Sequence, residues 1–233
     1  MLRDLANSVY VRFWRLPRID RAYKKLSVED AFRNIYLTKV WGDNGEPFCS
    51  GDGSHGPVSE QYCASVVRFI RDHQVQSVVD LGCGDFAVGK RIVEASSVQY
   101  TGIDVVSELI EHHRRSGHNP RVTFLCADIT RDPLPPADLY LVRQVLQHLS
   151  NREIARVLAN LGNSSQALIS EDVPVHPRWF NVDKPHGPNV RFCGSGVYVD
   201  RAPFSMPAVE LWSIPLTDKT LLRTVLLEQT SSQ

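Results

Sequence analysis

The chain has no C-x-x-C pair, and its five cysteines (Cys49, Cys63, Cys83, Cys126 and Cys193) are odd in number. Both facts argue against a disulfide framework and against a zinc site, so the expectation is buried free thiols in a reducing cytoplasm and no metal. Charge of either sign is not in excess: 26 basic residues balance 26 acidic ones in 233. A protein that grips nucleic acid through its phosphates needs a broad basic field, so a nucleic-acid partner is not expected. No apolar run approaches the roughly 18 residues of a membrane span. No apolar core of signal-peptide type precedes a cleavage site near the start. Repeats and low-complexity tracts are missing too. What is present suffices for one α/β-sized domain with a full core, at 42% hydrophobic composition.

One stretch departs from this balance. Residues 1–25 hold seven basic and two acidic residues, a local +5 that leaves −5 for the rest. Leu2, Leu5, Val9, Phe13 and Trp14 recur near helical spacing around Tyr10. Such a basic amphipathic helix suits a peripheral contact with a membrane or a partner; the alternative is a helix packed on its own domain. Residues 1–59 are read as this basic arm plus a loop, and 60–233 as the main domain.

Within that domain, strands and helices alternate. "SEQYCASVVRFIRD" places Tyr62, Val66 and Ile70 on one helical face, and "SVVDLG" reads as a buried strand. A helix over about 87–96, a strand at "VQYTGID", and a helix at "VSELIEHHRRSG" with Ser107 as cap and Gly117 as stop follow. "RVTFLCADI" and "ADLYLVRQ" are strands three and four, "NREIARVLANLG" a helix, and "SQALISEDV" strand five. This order predicts an α/β fold with a mostly parallel sheet and helices on both faces. The chain then breaks the pattern. "PAVELWSIPL" and "KTLLRTVLLEQ" have no helix between them and should form an antiparallel hairpin at the sheet edge. Residues 174–205, rich in proline and glycine, are too long for an ordinary connection and read as a lid over a substrate site.

The stretch "VVDLGCGDF", Val78 to Phe86, ends a strand on Asp80 and turns on Gly82 and Gly84. Ligands of an open parallel sheet bind beyond the carboxyl ends of its strands. Asp104 closes strand two, placed to accept hydrogen bonds from ribose hydroxyls. Asp128 closes strand three, and Arg143 and Gln144 follow strand four. The plainer readings are a tight turn, a strand-end acid for Asp104 and a helix cap for Asp128. A G-x-G-x-x-G/A dinucleotide turn is also available, with Ala87 in the third place, which leaves NAD as an alternative.

"VVDLGCGDF", "YTGIDVV", "FLCADIT" and "DLYLVRQVLQHL", with the terminal hairpin, resemble in order the motifs of class I S-adenosylmethionine-dependent methyltransferases. Upstream, "IYLTKVWGDNGEPFCSGDGS" is similar to a segment of a poorly characterised bacterial branch with a W…SGxGS element and a CGDF first motif. The resemblance implies a Rossmann-like sheet and S-adenosyl-L-methionine as cofactor. It implies that Asp80, Gly82 and Gly84 line the methionine part, that Asp104 holds the ribose, that Asp128 and Ile129 flank the adenine, and that Arg143 and Gln144 sit beside the sulfonium. Trp41, Ser50 and Gly51 belong to the same cofactor set. Asp85–Phe86 depart from the commoner G-x-G-x-G.

Removing a proton from an alcohol acceptor calls for a general base. His148, Glu171 and Asp172, at the ends of strands four and five, are the candidates. His176, Arg178, Trp179, His186, Arg191 and Tyr198 in the lid are candidate substrate contacts. His112, His113 and His118 read as a solvated face. "SGDGSH" is either an anion-cradling turn or a plain linker. The function expected is methylation, on oxygen, of a small molecule or carbohydrate. The alternatives are a non-catalytic interaction module on the same fold, or a protein or RNA methyltransferase.

Overall fold

The structure, a computed structural model, describes residues 22–117, 119–162, 166–191 and 194–227. Most of the basic arm, His118 and Cys193 lie outside these residues. Seven strands form one sheet: β1 (Ser77–Leu81), β2 (Gln99–Asp104), β3 (Val122–Cys126), β4 (Leu139–Arg143), β5 (Gln166–Pro174), β8 (Ala208–Pro215) and β9 (Thr220–Leu227). Their order is β3-β2-β1-β4-β5-β9-β8. The first five pair in parallel; β9 runs antiparallel between β5 and the edge strand β8, which gives the expected hairpin. β6 (Trp179–Phe180) and β7 (Ser195–Gly196) make a separate two-stranded pair.

Alternation along the strands decides what each face carries. Val78, Leu139, Leu141 and Leu168 point to helices α2 (Gly56–Asp72) and α3 (Ala87–Glu94), where Tyr62, Val66, Phe69 and Ile92 complete one core. Val79, Leu81, Val142 and Ile169 point to α5 (Asn151–Leu161) and its Ile154, Val157 and Leu158. α5 starts with a reciprocal capping box, Ser150 with Glu153. α4 (Ser107–Ser116) begins at Ser107 instead of being capped by it, since Val106 holds the capping position. Its N-terminus is steadied by Asp104, whose Oδ1 accepts from Val106 N–H at 3.1 Å.

The boundary expected at residue 60 falls inside α2. The described residues before it, 22–59, pack against the strand-bearing part. α1 (Val28–Leu37) starts on an Ser27 cap that accepts from Asp30 N–H. It crosses above the carboxyl ends of the strands. Near its start, the carbonyl of Leu26 accepts from His186 Nε2 at 3.1 Å; further along, Arg33 reaches Glu108 of α4 at 2.5 Å. Phe32, Tyr36, Trp41 and Phe48 then form an aromatic cluster over the first turn of the sheet.

The cysteines differ from expectation: Cys63 and Cys83 are buried, Cys49 is half-buried and Cys126 is exposed, all as free thiols. Among the described residues no helix is long and apolar enough to cross a membrane, and no group of three metal-binding side chains occurs.

Candidate active site

One cavity of about 320 Å³ opens at the carboxyl ends of β1, β2 and β4 beneath α1, within the size range of small-molecule sites. Asp80, Gly82, Gly84, Asp104, Asp128, Ile129, Arg143 and Gln144 line it, as do Trp41, Ser50 and His148. Gly51 does not line it; Gly53 and Ser54 of the same loop do. The strand-end residues converge because parallel strands bring their carboxyl ends to one edge of the sheet.

The glycines serve the protein's own packing as well as any ligand. Gly82 and Gly84 have φ of 79° and 54°. A Cβ on Gly82 would fall 2.5 Å from Val145, and one on Gly84 would fall 2.3 Å from Ser50 Oγ. The loop is closed from above by Ser50. Its N–H donates to Asp85 Oδ2 at 3.0 Å, its Oγ accepts from Asp85 N–H at 2.8 Å, and Tyr36 meets the same Oγ at 3.0 Å. The "SGDGSH" loop is thus a latch over the first motif. From below, His113 Nε2 bonds the Gly84 carbonyl at 2.7 Å. This corrects the reading of His113 as solvated: it is buried between Phe86 and Phe124 because α4 packs on the β3 edge.

Four carboxylates, Asp80, Asp85, Asp104 and Asp128, line the cavity. Burial pushes Asp80 up to about 6, against the Tyr100 hydroxyl that donates to it at 2.5 Å. Burial lifts Asp104 to about 6 as well, against the N–H groups of Val106 and Gly84. Asp128 accepts from both Thr130 N–H and its hydroxyl. The cation of the site, Arg143, lies over the Tyr62 ring at 5.0 Å and donates to Gly53 O at 2.5 Å. These facts weigh against a dinucleotide. Its pyrophosphate needs a free helix N-terminus, but at α3 the Asp85 carboxylate already accepts from Ala87 N–H at 3.1 Å. The site is acidic, and that suits amino, hydroxyl and cationic groups.

Beyond β4 the lining changes. Val145, Leu149, Pro188 and Val190 are apolar, and Trp41 lies with its ring 5.0 Å from His148. Burial, with Lys184 nearby, drives His148 down to about 3, so it is neutral at neutral pH. Three solvent-shielded polar atoms of this wall have no partner: Arg143 Nε, Gln147 Oε1 and His148 Nδ1. Unpaired buried polar atoms that converge on a cavity are positions a ligand completes.

The other candidates are placed elsewhere. β5 runs on to Pro174, so Glu171 and Asp172 are not its end; alternation sends them to opposite faces. Glu171, 2% exposed, accepts from the N–H groups of Val145, Leu146 and Gln147, and burial raises it to about 8 against those bonds. It clamps the turn that carries His148 and does not itself line the cavity. Asp172 faces Thr220 on the hairpin, and burial lifts it to about 6. Of the described residues of the 174–205 segment, Pro188 and Val190 reach the cavity. His176 does not reach the cavity. Arg178 packs on Gly194, and Trp179 is 63% exposed on the small β6–β7 pair. Tyr198 is buried, its hydroxyl 3.3 Å from Pro174 O. Arg191 holds the carbonyls of Leu146, Gln147 and Leu149, and His186 bonds Glu153. These two brace the site without lining it. Val28, Phe32 and Tyr36 of α1 line it although sequence reasoning passed them over; the helical spacing of "VEDAFRNIYL" was their one signal.

Residues 78–164 match the family model described as "Methyltransferase domain". Over 89 residues the chain is 35% identical to acetylserotonin O-methyltransferase of Mus musculus, a stretch of 35% of this chain and 23% of that protein. The chain thus spans under a quarter of the length of that curated relative. Human N-acetylserotonin methyltransferase, solved in complex with S-adenosylmethionine, superposes with a TM-score of 0.57 at 15% identity, over 95% of this chain and 69% of that one. Magnesium protoporphyrin IX methyltransferase from Synechocystis PCC 6803, solved with bound S-adenosylhomocysteine, gives 0.55 at 13% identity, over 85% and 97%. The fold is that of class I S-adenosylmethionine-dependent methyltransferases, and the acidic cavity with its unpaired polar wall fits that cofactor.

Proposed function

We propose that this chain, which carries a class I methyltransferase domain, binds S-adenosyl-L-methionine and methylates a hydroxyl of a small molecule. The observation that carries the reading is the cavity itself: three acids at the strand ends and a glycine turn at positive φ share it with one neutral histidine. Asp104 would accept from the ribose hydroxyls, Asp80 and the Gly82–Gly84 turn would meet the methionine part, and Asp128 with Ile129 would flank the adenine. When bound, the cofactor would supply an electrophilic methyl carried on a sulfonium, with the neutral thioether as leaving group.

The chain's part is alignment, a dry cavity and a proton acceptor. α1 and the 188–190 strap cover the site. His148 is neutral, and its unpaired Nδ1 would take the acceptor's proton. Gln147 lies beside the other ring nitrogen at 3.4 Å. With its amide oxygen turned that way it would accept from Nε2–H and hold the tautomer that leaves Nδ1 free.

Calorimetric titration with S-adenosylhomocysteine should show micromolar binding. Absence of binding to the folded protein overturns the cofactor reading. His148→Ala should keep that binding and lose turnover; full turnover would remove His148 from the reaction.

A further inference from the structure

We infer that the acceptor is a flat, uncharged, largely apolar molecule with a phenol-type hydroxyl, held by Phe32 and Trp41 from the roof and Val190 from the strap. This rests on the proposed function and narrows its acceptor to one class. The cavity has two chemically distinct ends. All four carboxylates come from the ends of β1, β2 and β3 and the turn after β1. Among the described residues no carboxylate lines the end over β4.

Arg143, which ends β4, lies over the Tyr62 ring and donates to Gly53 O, and the two cations behind this wall are engaged elsewhere. Arg191 is committed to three carbonyls and Asn151 Oδ1, and Lys184 donates to Pro185 O and His148 O. The walls are rings and branched side chains: Phe32 lies 6.0 Å from Trp41, and Trp41 5.0 Å from His148. Trp41 is fixed in place by its indole N–H, which donates to Pro188 O at 3.3 Å and ties roof to strap. The unpaired polar groups at this end are three: Arg143 Nε, His148 Nδ1 and the edge of the Gln147 amide turned away from His148. A sugar ring would bring several hydroxyls to a wall with three unpaired polar groups, one of them the base, and each buried hydroxyl left unpaired opposes binding. A planar aromatic leaves no such debt; its faces meet rings and its single hydroxyl meets His148. A phenol also releases its proton far more readily than a sugar alcohol, near pKa 10 for a tyrosine side chain, so it asks less of an imidazole whose protonated form burial disfavours.

The test uses the full chain with 2-naphthol and methyl glucoside as probes, titrated with and without saturating S-adenosylhomocysteine and read by tryptophan fluorescence and calorimetry. Expected is saturable binding of 2-naphthol and none of the glucoside. Val190 is 38% exposed, so Val190→Asp keeps the fold while placing a charge on the wall. It and Phe32→Ala should each weaken 2-naphthol by about tenfold or more, with S-adenosylhomocysteine affinity held within a few fold. Glucoside binding in place of 2-naphthol, or 2-naphthol binding untouched by both variants, overturns the inference. Failure of S-adenosylhomocysteine alone, with 2-naphthol still bound and sensitive to both variants, overturns the cofactor reading and leaves the apolar wall standing.

Discussion

His186 Nδ1 lies 2.7 Å from Glu153 Oε1, while its Nε2 faces the carbonyl of Leu26 at 3.1 Å. Both ring nitrogens meet acceptors, so the geometry calls for the imidazolium. One side chain thereby joins the strap, the capping box of α5 and the start of the α1 roof. The Glu153 hydrogen bond raises the His186 pKa, against its burial. Burial works against Glu153 too, yet His186 and Ser150 bring it down to about 2. For His186 the folded value lies above the usual 6.5, so its stabilisation is full below 6.5 and fades as pH climbs through the raised value. For Glu153 the stabilisation is present above 4.5 and fades as pH falls through about 2. Replacing His186 with Ala should therefore lower the denaturation midpoint more near pH 6 than near pH 9. Equal losses at both pH values would show that the ring acts by packing alone.

Asp104 presents both oxygens to backbone N–H groups, Gly84 at 3.2 Å and Val106 at 3.1 Å, and keeps lone pairs toward the cavity. Asp104→Asn removes the charge and turns a donor toward one of these groups. Cofactor affinity should fall by about 1.5–3 kcal/mol, the worth of a charge-assisted pair. Calorimetry with S-adenosylhomocysteine measures it; affinity within about twofold of the parent would mean that Asp104 only braces the turn.

How much of this was legible in the sequence follows from range. Asp104 and Arg143 close strands of strong local pattern and Asp80 stands one residue before the end of another, and the parallel sheet brings strand ends together whatever the loops do. The order of elements was legible for the same reason, as was the hairpin of β8 and β9. The roof was not. Trp41 reaches Pro188 across 147 positions and Leu26 reaches His186 across 160, and no local spacing encodes such pairs. Glu171 misled for a related reason. An acid late in a strand reads as a site residue until the three N–H groups it accepts from, 24 to 26 positions away, are known. His113 reads as surface from its charged neighbours, and only the Phe86–Phe124 packing buries it.

Gly84 and Ser50 should be coupled. At Gly84, φ is 54° and an added Cβ would lie 2.3 Å from Ser50 Oγ. Gly84→Ala should destabilise the fold by about 1–3 kcal/mol through backbone strain and the displaced latch. Ser50→Gly removes the obstructing hydroxyl at the cost of its bonds to Asp85 and Tyr36. In a double-mutant cycle read by thermal melting, the double variant should lose less than the two single losses added together. Strict additivity would mean that the loop shifts aside without engaging Ser50.

Glu171 separates a positioning role from a catalytic one. Its carboxylate accepts from Val145, Leu146 and Gln147 N–H at 3.2, 2.9 and 3.0 Å, and these residues form the turn that presents His148. Glu171→Gln keeps the shape but sets an NH₂ against at least one of those N–H groups. A buried donor left without an acceptor costs about 1–3 kcal/mol. The melting temperature should drop, and turnover should drop only as far as the turn is disturbed. The pH profile of turnover should keep its form, because the proton acceptor is His148. If Glu171 were the general base, the amide would abolish turnover in a protein that melts like the parent. That combination, full stability with no activity, would move the base from His148 to Glu171.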